Sequence, residues 1–186
     1  MKFPVWLLVM FFCAPFHRDA LAGPYESDVR NLVDKDPEVQ LKATKRISDG
    51  GVDAVPDIIA VAGNTTNSAL KTLCIDIIGT RRESSAIDAL NHFAGSEPDW
   101  KIREHVVHAL GRIRGEESTA ALNRIASNDD TANVRVMAII KLGHRKGPEV
   151  NQMLELLFAN PNTLVRLAAG RELAKRGNSI VFNFSA

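Results

Sequence analysis

Two cysteines, one tyrosine and two tryptophans are spread over 186 residues, and each shortage excludes something. Cys13 lies in an apolar leader and Cys74 stands alone beyond it, so no disulfide can form within the processed chain and packing must hold the fold. Beyond the leader, Tyr25 and Trp100 are single in their kinds, which weakens any case for the stacking platform that single-stranded nucleic acid requires; no specific nucleic-acid partner is expected. An excess of one charge is lacking too. The chain has 23 basic and 22 acidic residues, and loss of Lys2, Arg18 and Asp19 with the leader makes the two equal. That balance argues against a general polyanion binder while leaving room for a local basic patch. Ser-His-Asp arrangements, phosphate-binding loops and zinc-ligand spacings are absent as well, so no catalytic residue and no cofactor are assigned.

Only one long apolar run exists. Met1-Lys2 leads into FPVWLLVMFFCAPF, too short for a comfortable membrane span, and Ala20-Leu21-Ala22 is a small-residue cleavage site. Residues 1–22 therefore read as a secretory signal peptide, and the chain is expected to be exported, periplasmic or secreted, with no transmembrane helix once the signal is removed. An uncleaved N-terminal anchor is the competing reading. Lipidation at Cys13 is rejected because Phe11 and Phe12 stand where small residues are required.

What the chain has is a repeat. VQLKATKRIS from Val39, LKTLCIDIIG from Leu70, IREHVVHALG from Ile102, VRVMAIIKLG from Val134 and VRLAAGRELA from Val165 align at intervals of about 32 residues. Their first, fifth and ninth positions are apolar and share one face of a helix. Three residues ahead of each start stand Asp36, Asn67, Asp99, Thr131 and Asn162, all able to accept hydrogen bonds from free backbone N–H groups, so every first helix is expected to carry its own cap. A second apolar series follows each first helix: Val55, Ile58 and Ala62, then Ala86, Leu90 and Phe93, then Leu122 and Ile125, then Val150, Leu154 and Leu157.

Each unit is a helical hairpin that cannot bury its apolar stripe alone, so neighbours must stack. The expected fold is all-α, an α-solenoid of stacked antiparallel hairpins. A repeat domain over 23–178 is expected, with a half-repeat at 25–35, repeats from about 36, 67, 99 and 131, and a terminal half-repeat from about 162. Residues 179–186 would form a tail or a cap.

The stretches DPEVQ, IREHVVHALGRI and VRLAAGRELAKRG resemble HEAT repeats, in particular the short bacterial HEAT-like repeats first associated with phycobilisome lyases. The resemblance covers residues 36–176 and implies an armadillo-like superhelix whose extended face commonly binds protein. Its shared residues are packing and capping residues, so it speaks for fold and not for chemistry. A related HEAT-like enzyme family, deoxyhypusine hydroxylase, holds two irons through His-Glu pairs on successive first helices. Here only Glu104-His105 is comparable, in reversed order, and the matching positions on the other first helices cannot ligate iron.

Candidate residues fall into three sets. His105 and His108, with Glu104 beside them, are three apart and weak candidates for one metal ion; solvent-facing histidines are the plainer reading. The second helices offer Asp57, Asp88, Glu149 and Glu155 as an acidic face for a protein partner. The turns within hairpins carry Arg81, Arg82, Arg112, Arg114, Arg145, Lys146 and Arg176, with Arg82, Arg114 and Lys146 in strict 32-residue register. This basic edge is either a weak contact for an anionic surface or a solvated row of cations near helix C-termini. The second positions, Gln40, Lys71, Arg103, Arg135 and Arg166, are expected to form a ladder between neighbouring repeats. The function expected from all this is an exported, non-catalytic scaffold for another protein. A metal-dependent HEAT-like enzyme and a peripheral membrane binder are the rivals.

Overall fold

The structure, a computed structural model, describes residues 23–178. The leader over 1–22 and the tail over 179–186 both lie outside the described residues. Within them the chain is helical, with no strand. A short helix α1 (Glu26–Asn31) opens the stack. Four hairpins follow: α2 (Pro37–Gly50) with α3 (Val55–Asn64), α4 (Ser68–Arg81) with α5 (Ile87–Ser96), α6 (Trp100–Arg112) with α7 (Glu116–Asn128), and α8 (Ala132–Gly143) with α9 (Pro148–Phe158). α10 (Thr163–Lys175) is a first helix without a described partner.

The apolar columns explain the stack. The fifth and ninth positions of every first helix are buried, from Ala43 and Ile47 to Ala169 and Leu173. So are Ile58, Leu90, Leu122 and Leu154 from the second helices, and all of these but Ala43 join one continuous core. Burying each large aliphatic side chain contributes roughly 1.5–3 kcal/mol, which no hairpin could collect alone. Successive first helices α4, α6, α8 and α10 pack on one another, and each second helix packs on the first helix of the next unit. Gly79 permits the approach of α4 to α6, because a Cβ there would stand 2.6 Å from the Ala109 backbone of α6.

Four of the five expected caps form. Asp36, Asn67, Asp99 and Asn162 accept backbone N–H bonds from the first turns of α2, α4, α6 and α10. Thr131 does not: it makes no capping bond to α8 and instead accepts from Arg103 Nη2 at 3.1 Å. The same hydroxyl donates to Asp130 Oδ1 at 3.2 Å, and neither contact is with its own helix.

Candidate functional site

The turns that join first to second helices lie along one edge of the stack, and here the basic residues separate into two populations. Arg81, Arg145 and Arg176 occupy the twelfth position of their repeats, and each reaches back one repeat to the carbonyl oxygens that end the preceding first helix. Arg145 Nη2 donates to Leu110 O and Ile113 O, both at 2.7 Å. Arg176 donates to Gly143 O at 3.3 Å, Arg145 O at 2.6 Å and Gly147 O at 3.1 Å, and its Nε to Asn151 Oδ1 at 2.5 Å. Arg81 donates to Ile47 O and Gly51 O. The last carbonyls of an α-helix have no intrahelical donor, so these arginines close the ends of α2, α6 and α8.

Arg81, Arg145 and Arg176 are therefore not members of a free basic row, as their sequence positions suggested; long-range capping consumes them. Burial, with Arg114 nearby, lowers the pKa of Arg145 from its ordinary value. In the third repeat the twelfth residue is Ile113, buried in the core. The α4 end is served differently: Arg82 adopts the left-handed conformation (φ 57°) and its own N–H bonds to Gly79 O at 3.3 Å, while Arg112 Nη1 donates to Thr80 Oγ1 at 3.0 Å.

The remaining cations face water. Arg82, Arg112, Arg114 and Lys146 are exposed and, with His144 and Arg145, line a groove of about 780 Å³ that crosses three successive turns. Its lining also includes Thr119, Ala120 and Met153, and Glu116 and Glu149 are its acidic residues. Gly115 begins α7 without a side-chain cap, which leaves the helix's positive end to the groove and to Glu116 and Glu117. The groove carries a surplus of positive charge on a chain whose formal net charge is only +1.

The four acidic candidates do not form one face. Asp57, Asp88 and Glu149 sit in the first turns of α3, α5 and α9, beside the basic turns, where a carboxylate favours the helix N-terminus. Asp57 Oδ2 accepts the Tyr25 N–H at 2.7 Å and so ties down the start of α1. Glu155 lies in mid-helix and accepts from Asn178 Nδ2 at 2.6 Å. Asp88 and Glu149 are exposed.

At the opposite edge, where hairpin joins hairpin, the second-position side chains fold back on the loop before their own helix. Gln40 donates to Asp34 O at 2.6 Å, Arg166 to Asn160 O at 3.0 Å, and Arg103 to Glu97 O at 2.8 Å; Arg135 donates to Asp129 O. These carbonyls offset the unfavourable placement of a cation near a helix N-terminus. The expected inter-repeat ladder is confined to Lys71, paired with Glu97 at 2.7 Å, and Arg103. Arg103 grips Asp129 bidentately at 2.9 and 3.0 Å and also pairs with Asp130. Arg103 and Asp129 are almost fully buried, at 8% and 4% side-chain exposure. The Asp129 hydrogen bonds raise the Arg103 pKa, and the Arg103 charge lowers that of Asp130.

The histidines of α6 divide as well. His105 Nδ1 meets the Asp76 carboxylate of the previous first helix at 3.0 and 3.1 Å, an inter-repeat contact. His108 has its pKa lowered, first by burial and then by Lys141, His105 and Arg112. Among the described residues no three His, Cys, Asp or Glu side chains are grouped to hold a metal ion. Cys74 is buried, and desolvation pushes its thiol up to about 12. Such a thiol is a packing group.

Stacked antiparallel hairpins of this length, with capped first helices and turns in register, define a helical-repeat protein. Residues 55–135, the central part of the chain, match the family model for HEAT repeats. No curated protein matches it. Among the described residues, no helix is long and apolar enough to cross a membrane.

Proposed function

We propose that this chain is an exported, non-catalytic HEAT-repeat scaffold that binds another protein, and that the groove bounded by Arg82, Arg114 and Lys146 is its principal contact. The observation that carries this reading is the separation of the turn arginines: three are spent on closing helices, while the rest stay exposed around a concavity spanning three repeats. A cation with no structural task, held by a rigid stack, loses little freedom on binding. Asp57 and Glu155 are engaged within the chain, which moves the favoured surface from the second helices to the turn edge. Export rests on the leader sequence alone.

The test is recovery of partners from the native envelope or secreted fraction by the wild-type chain and by a variant with Arg82, Arg114 and Lys146 all changed to Gln. Loss of a defined partner in the variant is expected. Equal recovery by both forms would remove the groove from the assignment, and a mature N-terminus other than Gly23 would contradict the cleavage reading.

A further inference from the structure

The groove repeats along the stack, and that repetition constrains what fits it. Arg82, Arg114 and Lys146 occupy the same position in three consecutive turns. Packed helices lie about 8–10 Å apart, so the backbone positions that carry successive rungs of this row recur at roughly that interval. An extended chain in the polyproline II conformation rises about 3.1 Å per residue with three residues per turn, which returns a side chain to the same face every ~9.3 Å. A β-strand does not match, because its side chains alternate and the third residue points away.

We infer that the groove takes an extended acidic protein segment, polyproline II-like, with a carboxylate at every third residue. The inference rests on the groove being the protein contact proposed above. Arg82, Arg114 and Lys146 each receive one carboxylate, and the intervening residues pass over Thr119, Ala120 and Met153. Glu116 and Glu149 line the same groove, so a carboxylate out of register meets like charge. Discrimination by register comes from repulsion as much as from attraction. A flat anionic membrane matches less well, because its headgroups do not enter a concavity and carry no fixed spacing.

The test uses labelled proline-rich peptides of equal net charge with three glutamates spaced by two, three or four positions, titrated with the full chain and followed by fluorescence anisotropy at low and physiological salt. The three-residue spacing is expected to bind about tenfold more tightly than the others, as three modest ion pairs allow. The triple Gln variant is expected to lose that preference. Equal affinity for all spacings, or binding to phosphatidylglycerol vesicles with none to any peptide, would overturn the inference. Partner recovery measured in parallel separates the two levels. Recovery that still depends on Arg82, Arg114 and Lys146 while spacing has no effect overturns the register alone; recovery independent of them overturns the groove itself.

Discussion

Each first helix has two ends, and the two edges of the stack satisfy them by different means. At the loop edge, Asp36, Asn67, Asp99 and Asn162 cap the helix they precede, within three residues of the N–H groups they accept. At the turn edge, Arg81, Arg145 and Arg176 donate to carbonyls 29 or more residues earlier in the chain. Local caps make a helix begin; distant ones make two repeats hold each other. The turn edge therefore couples neighbours, and Arg82, Arg114 and Lys146, exposed there, are left for another task.

The contrast yields predictions of graded size. The largest concerns the loop edge, where Arg103→Ala would strand the buried Asp129 carboxylate and should cost about 3–5 kcal/mol in urea unfolding. A loss under ~1 kcal/mol would show that water replaces the guanidinium. At the turn edge, Arg145→Met should cost about 1–3 kcal/mol, because the Leu110 and Ile113 carbonyls lose a donor. Replacing the exposed Arg114, which closes no helix end, by Met should stay within ~0.5 kcal/mol. Removal of a local cap by Asn67→Ala should cost about 1 kcal/mol.

The smallest effects have signs of interest. Arg82→Gly should stabilise the fold by roughly 0.5–1 kcal/mol, since glycine adopts the left-handed conformation at φ 57° without steric cost. Destabilisation would mean that the Arg82 side chain holds the turn. His108 is held below its ordinary pKa in the folded state, so the unfolded chain takes up a proton first as pH falls. Its contribution is present above about pH 6.5 and declines as pH drops through the folded pKa. His108→Gln should flatten the loss of stability between neutral pH and pH 5, and an unchanged slope would assign that loss to other groups.

The same contrast explains what could be read from the sequence. Repeat length, core columns and the Asx caps were legible because they rest on residues close in sequence or recurring at one interval. Thr131 misled because its hydroxyl is claimed by Arg103, a contact 28 residues away. The turn arginines were legible as a row but not as two populations. Arg81, Arg145 and Arg176 share the twelfth position and Arg82, Arg114 and Lys146 the thirteenth, yet only stacking shows that the former point into the preceding repeat. Arg103 looked like one rung among five, and its buried pairing depends on the AspAsp pair of the next loop. The acidic residues of the second helices could be seen as exposed only until Tyr25 and Asn178 were placed against Asp57 and Glu155.

The division between closing arginines and free ones is tested most directly by one paired measurement on the Arg82, Arg114 and Lys146 triple Gln variant: its urea midpoint and its recovery of the native partner. An unchanged midpoint with lost recovery is the predicted result. A lowered midpoint with recovery intact would contradict it, because the outer cations would then be serving the fold and not a partner.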